Sequence, residues 1–140
     1  MSRILVVDDD RTTRHVLSKV LTSAGFSVTV AKDGVEALSV LRHRRFDLLL
    51  LDVWMPRMNG LDLLERLRTR KGRPRVVVMT SDEAPETLLE AVRQQAFTYV
   101  QKPIASLELL QTVRDVLQAP GPPAIEVISA RPEWVELVVP

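Results

Sequence analysis

Residues 3–10 read Arg-Ile-Leu-Val-Val-Asp-Asp-Asp, and residues 48–56 read Leu-Leu-Leu-Leu-Asp-Val-Trp-Met-Pro. Each stretch is an unbroken apolar run that stops at a carboxylate. A run without polar alternation suits a strand buried on both faces, as found in parallel sheets covered by crossover helices. Between the two runs, Val16, Leu17, Val20, Leu21 and Ala24 fall at helical spacing, and Gly25 is placed to end that helix in a left-handed cap. Residues 26–31 alternate as a short second strand, and Asp33-Gly34 is a turn signal. Val35, Ala37, Leu38 and Leu41 predict a second helix, ending in the basic run Arg-His-Arg-Arg at 42–45, where cations complement the helix dipole.

The same alternation continues toward the C-terminus. Residues 47–51 are the third strand, ending at Asp52; the loop 53–60 holds Pro56 and Gly60, and Asn59 can cap a helix carrying Leu61, Leu64 and Leu67. Gly72 and Pro74 close that unit, and residues 75–79 form a fourth strand ending at Thr80. Ser81, Asp82 and Pro85 open a helix with Leu88, Leu89 and Val92 on one side. Residues 98–100 predict a short fifth strand ending at Lys102-Pro103, before a last helix at about 106–118 with Leu107, Leu110, Val113, Val116 and Leu117. Strands alternating with helices in five βα units predict an α/β fold with a parallel sheet.

Residues 1–118 are therefore expected to form one domain. Residues 119–123, Ala-Pro-Gly-Pro-Pro, read as a stiff linker. Residues 124–140 read as a strand-like tail through Ile125, Val127, Ile128, Trp134, Val135, Leu137 and Val138, too short for its own core. That tail is expected either to pair with other strands or to begin a further, output domain.

With 140 residues, 46% hydrophobic and 26% charged, the composition is that of one ordinary globular domain, which excludes wholesale disorder and fibrous repeats. The absence of cysteine excludes a disulfide scaffold, a thiolate zinc site and a cysteine nucleophile. Nineteen Lys and Arg against eighteen Asp and Glu leave a net charge of +1, without the basic excess of a dedicated nucleic-acid binder. No apolar run approaches the roughly 20 residues needed to span a bilayer. The first apolar run is too short for a signal peptide and ends in aspartates, so a cytoplasmic location and no membrane partner are expected.

Open parallel sheets bind ligands at the carboxyl ends of their strands. The distinctive polar residues sit there: Asp8 and Asp9 after the first strand, Asp52 after the third, Thr80 after the fourth and Lys102 after the fifth. Three carboxylates gathered at neighbouring strand ends repel one another unless a cation joins them, and hard oxygen ligands suit Mg²⁺. A carboxylate can also act as a nucleophile toward a phosphoryl group. The transferring group is neutralised by a metal, an ammonium and a hydroxyl donor, a set that Asp52, Lys102 and Thr80 supply with the cation.

In order, Ile4-Leu5-Val6-Val7-Asp8-Asp9, Leu51-Asp52-Val53-Trp54-Met55-Pro56 with Gly60, Met79-Thr80-Ser81 and Tyr99-Val100-Gln101-Lys102-Pro103 resemble the motifs of the receiver domain of two-component response regulators, of the chemotaxis-regulator type. The resemblance spans residues 3–118. It implies a doubly wound, flavodoxin-like (βα)5 fold with five parallel strands in the order 2-1-3-4-5. It also implies that Asp52 is the phosphoacceptor and that Asp8, Asp9, Asp52 and the backbone carbonyl of Trp54 hold Mg²⁺. Thr80 and Lys102 then bind the phosphoryl oxygens, Thr80 and Tyr99 form the switch, and the Lys102–Pro103 peptide is cis.

The implied partners are a sensor histidine kinase or phosphotransfer protein as phosphodonor, and an output domain or partner protein reached through the face of helix four, strand five and helix five. A homodimer through that face belongs to the same expectation, and direct nucleic-acid binding does not. Such a domain catalyses only its own phosphorylation and dephosphorylation and is not an enzyme acting on a separate metabolite. Two positions depart from the family pattern: Gln95-Ala96-Phe97 stands where Gly-Ala is common, and Trp54 is bulky for its place.

Two rival functions have sequence support. Asp8-Asp9-Asp10-Arg11-Thr12 also fits D-x-D-x-T, which resembles the nucleophile loop of haloacid-dehalogenase-type phosphatases, with Asp8 as nucleophile and Asp10 as acid/base. That reading leaves Asp52 without a task and lacks a later acidic motif for the metal. The second rival is an interaction module that binds through its helical face without phosphorylation. His15 and His43 lack ligand spacing. The basic residues from Arg66 to Arg75 read first as a solvated helix end and second as a nucleic-acid contact.

Overall fold

Asp10, the third aspartate after the first apolar run, starts a helix. Its Oδ2 accepts the Thr13 backbone N–H at 3.1 Å, so the helix begins at Arg11, before the first apolar position that marked it in the sequence. The computed structural model describes residues 1–53, 55, 57–67, 70, 72–80, 98–102 and 104–119. The strands are β1 (Arg3–Val7), β2 (Ser27–Ala31), β3 (Leu48–Asp52), β4 (Arg75–Thr80) and β5 (Thr98–Gln101). Helices α1 (Arg11–Ser23), α2 (Gly34–His43) and α3 (Gly60–Leu67) lie between them, and a further helix, Ser106–Gln118, follows β5.

All strand pairs are parallel, in the order β2-β1-β3-β4-β5. This is the doubly wound order expected from the resemblance, with its reversal point between β1 and β3. The strand limits differ from the sequence reading by single residues. The helix expected from residue 81 onward, the 119–123 linker beyond Ala119 and the 124–140 tail lie outside the described residues.

The unbroken apolar runs are explained by a core on each side of the sheet. Leu5, Val7, Leu49, Leu51, Val76 and Val78 face one layer, where they pack with Ala37 of α2 and Leu63, Leu64 and Leu67 of α3. Their neighbours Ile4, Val6, Leu48, Leu50, Val77 and Met79 face the other, with Leu17 and Leu21 of α1 and Leu109, Val113 and Val116 of the 106–118 helix. Successive strand residues point to opposite faces, so only an all-apolar run can bury both.

Helix ends follow the local chemistry. Asp33, a turn signal in the sequence, is the N-cap of α2, its Oδ1 accepting the Glu36 N–H at 2.8 Å. Asn59 caps α3 as expected, accepting the Asp62 N–H at 2.9 Å. Gly25 follows α1 with φ +97°, the left-handed conformation anticipated for it.

Gly60 is constrained by space. A Cβ at this position would lie 2.2 Å from the Asp52 carbonyl oxygen and 3.0 Å from the Val53 Cα, both backbone atoms. The Gly60 N–H donates to the Val53 carbonyl at 2.8 Å, which folds the loop back against the end of β3. Gly60→Ala is expected to destabilise the domain by about 1–3 kcal/mol, the usual cost of overpacking, because no flexible side chain is there to yield. Urea unfolding checks this through a lower midpoint at an unchanged slope.

Candidate functional site

β1 delivers Asp8 into the interior. Its N–H donates to the Ala31 carbonyl at 3.1 Å, which continues the β1–β2 ladder one residue past the strand, and the residue is 0% exposed. A fully buried carboxylate must be paired and hydrogen-bonded. Asp8 Oδ1 accepts the Asp10 N–H at 2.9 Å, and Oδ2 accepts from Lys102 Nζ at 2.6 Å. The Asp8 carbonyl accepts from Arg14 Nη1 of α1 at 2.8 Å.

Asp52, the last residue of β3, is 5% exposed, and its Oδ1 lies 3.3 Å from Lys102 Nζ. Lys102 follows β5 and thus bridges two carboxylates delivered by two other strands. Asp9 is exposed, but one carboxylate oxygen from each of Asp8, Asp9 and Asp52 can be chosen so that all lie within 4.8 Å of one another. Three carboxylates facing one ammonium leave an excess of two negative charges, the deficit a divalent cation would fill. The donors are all hard oxygens, as Mg²⁺ prefers.

Electrostatics register the same imbalance. Burial first, and then the charge of Asp8, push the Asp52 carboxyl up to about 7, against the opposing pull of Lys102. Burial works against the Lys102 ammonium, but its hydrogen bond to Asp8 and the charges of Asp52 and Asp8 outweigh that effect and raise its pKa. Asp10 behaves differently: hydrogen bonds from the Thr13 hydroxyl and N–H hold it below the usual carboxylate range.

Of the residues singled out in the sequence, Asp8, Asp9, Asp52 and Lys102 come together. Thr80 ends β4 and pairs in register with Gln101, one residue before Lys102, while Tyr99 pairs with Val78. The side chains of Thr80 and Tyr99, together with Trp54 and Pro103, lie outside the described residues, and with them the carbonyl ligand and the cis peptide. The phosphatase reading gives Asp10 an acid/base role, but its Oδ2 is taken by Thr13 as a helix cap, accepting both the N–H at 3.1 Å and the hydroxyl at 2.5 Å.

Sequence reasoning passed over Arg14 and Arg57. Arg14 supports the Asp8 backbone; Arg57, at φ 69°, places Nη1 3.1 Å from Asp33 Oδ2, tying the loop after Asp52 to the start of α2. Arg14 carried a faint signal as a cation in the first turn of α1, where the dipole disfavours one.

A parallel sheet in the order 2-1-3-4-5 with this acidic cluster and lysine at its carboxyl edge defines a receiver-type signalling domain. Residues 4–114 match the response regulator receiver domain, and the chain belongs to that family. Response regulator MprA of Mycobacterium avium (strain 104) is 40% identical over 120 residues, 86% of this chain and 53% of that protein. The chain spans about half the length of the curated relatives it matches. Chemotaxis protein CheY4 of Vibrio cholerae superposes with a TM-score of 0.80 at 32% identity, over 83% of this chain and 98% of that one. A CheY-like receiver domain protein of Methanospirillum hungatei gives a TM-score of 0.80 at 27% identity, over 84% and 94%.

The chain is thus a signalling domain of the two-component type, whose family works by phosphorylation, generally binds Mg²⁺ at an aspartate cluster and interacts with histidine kinases and output domains. No helix among the described residues is long and apolar enough to cross a membrane.

The raised carboxyl of Asp52 predicts a pH dependence for the metal-free protein. A folded-state pKa above the unfolded value means that the stabilising contribution is complete below the ordinary carboxylate pKa and is lost as pH rises through about 7. Ionised Asp52 therefore destabilises the metal-free fold at pH 8. Asp52→Asn is expected to be more stable than the parent at pH 8 in chelator, with the difference shrinking toward pH 5. Paired urea titrations at the two pH values measure it.

Proposed function

We propose that Asp52 accepts a phosphoryl group from a sensor histidine kinase or phosphotransfer protein, and that the resulting aspartyl phosphate switches the domain. The observation that carries this reading is the Lys102 ammonium held between Asp8 at 2.6 Å and Asp52 at 3.3 Å, within a carboxylate group short of two positive charges. In this reading Mg²⁺ is held by Asp8, Asp9, Asp52 and the Trp54 carbonyl. When bound it supplies counter-charge for the incoming phosphoryl oxygens.

The chain's own residues do the rest. An Asp52 carboxylate oxygen attacks phosphorus, the bond from phosphorus to the donor's imidazole nitrogen breaks, and the imidazole leaves with the bonding electron pair. Asp52 must be ionised to attack, so a cation that offsets the charge of Asp8 favours the reactive form. Lys102 and Thr80 pair with the phosphoryl oxygens, and the loss of the free Asp52 carboxylate redirects Lys102. Thr80 and Tyr99 carry that change to the face formed by the 81–92 segment, β5 and the 106–118 helix. An output domain, a partner protein or a second copy of the chain reads that face. Hydrolysis of the aspartyl phosphate by water resets the domain, so the chemistry begins and ends on Asp52 and no separate metabolite is turned over.

Acetyl phosphate with Mg²⁺ is expected to add one phosphoryl group by intact mass. Excess chelator or Asp52→Asn should abolish the addition, and equal labelling under either condition overturns the assignment. Lys102→Ala should still accept the group but lose the conformational response in the 106–118 helix, followed by amide NMR shifts. A normal response in that variant removes Lys102 from the switch.

The domain proposed for residues 1–118 also has a direct test. A chain truncated after Gln118 should label to the same extent and unfold cooperatively, with residues 119–123 acting only as a linker and 124–140 as a tail. Loss of cooperative unfolding would place the boundary further on.

A further inference from the structure

Two basic stretches well apart in sequence, 42–45 and 66–75, contribute to one cavity of about 310 Å³. It lies where α2 ends and β4 begins, at the edge of the sheet where strands start. The phosphoacceptor cluster lies at the other edge, roughly 13 Å away along β3 at about 3.3 Å per residue. Arg42, Arg44 and Arg45 line the cavity from one side, and Arg70 and Arg73 from the other. Phe46 and Leu67, both buried, add apolar surface to the same lining.

Residues 41–46 and 66–75 contain no Asp or Glu. Asp47, which follows the first stretch, has its Oδ2 engaged by the Arg3 N–H at 2.7 Å, and Glu65, which precedes the second, is exposed and does not line the cavity. The plainest role for these cations is to complement the C-termini of α2 and α3. Each helix end offers only about half a negative charge, so two ends offset roughly one of the four exposed arginines, Arg42, Arg44, Arg45 and Arg70, that line the cavity. The excess is larger than the fold uses.

We infer that this cavity binds a small oligophosphate, either inorganic or as the phosphate chain of a nucleotide. Guanidinium forks match phosphate oxygens in pairs, and several converging on one concave site suit a chain of phosphates better than a single anion. The volume falls at the lower end of small-molecule pockets. A long polyanion fits less well. Nine of the nineteen Lys and Arg lie in the two stretches, so ten stand against eighteen Asp and Glu in the rest of the sequence, a balance without the basic excess of a nucleic-acid binder.

Titration calorimetry of the full chain with sodium tripolyphosphate and, separately, with ATP tests this, both without divalent metal so that the aspartate cluster does not take part. One saturable site is expected. Arg44→Gln/Arg70→Gln changes two exposed residues, one from each stretch, and should weaken binding by roughly tenfold or more at an unchanged unfolding midpoint.

Equal affinity for the two ligands assigns the site to the phosphate chain alone, and tighter ATP binding that is equally sensitive to the variant assigns it to a nucleotide. Amide NMR shifts on the parent chain give a second reading that does not depend on the variant: perturbation should centre on residues 42–46 and 70–75 and spare 8, 9 and 52. The inference is overturned by no saturable binding, by binding that the double substitution leaves unchanged, or by shifts centred on the aspartates. Tighter binding of a short DNA duplex, lost in the same variant, replaces it with a nucleic-acid site.

Discussion

Asp8 is a charge with no access to water, and much of the domain is arranged around that fact. An unpaired buried carboxylate costs several kcal/mol or becomes protonated. Here each carboxylate oxygen has a donor, from the next turn of the chain at Asp10 and from Lys102, ninety-four residues later. The backbone carbonyl of the same residue takes Arg14. One residue therefore ties the end of β1 to the first turn of α1 and to the segment after β5. Asp52 joins the set from β3, and its own ionisation is suppressed first by burial and then by the charge of Asp8, which one lysine does not offset.

The parts of this arrangement that depend on local chemistry were legible in the chain. Four apolar residues in succession before Asp8 and before Asp52 are intelligible only as strands covered on both faces, and the structure covers both. Gly25 and Asn59 act at the helix ends assigned to them. Asp33 was read as a turn because Asp-Gly is ambiguous between a turn and a cap until the following helix is seen. The strand order came from the family resemblance, since periodicity alone does not say which strand is neighbour to which.

Long-range pairing was the less legible part. Lys102 was singled out as a strand-end residue, but nothing near it in sequence shows that it holds Asp8 more closely than Asp52. Arg57 and Arg14 were missed for the same reason, because a lone arginine on a loop or helix looks solvated until its partner is placed. Gly60 was noted only as a loop glycine. Its necessity comes from the Asp52 backbone behind it, a contact made when the loop folds back on β3. The net charge of +1 likewise conceals an acidic edge and a basic edge, because a sum over residues carries no information about where they lie.

The helix at 106–118 begins at Ala105, which has no side chain able to accept the free N–H groups of the first turn, and Leu107 in that turn is 84% exposed. Its hold on the sheet comes from Leu109 at the end of that turn and from Val113 and Val116 further along, with Ile104 packed on the same core just before the helix. The start of the helix is therefore without a side-chain cap but held to the core by Leu109, seven residues after Lys102. A displacement of the lysine would reach the core through Ile104 and Leu109, so its cost would fall on side-chain packing and not on a helix cap.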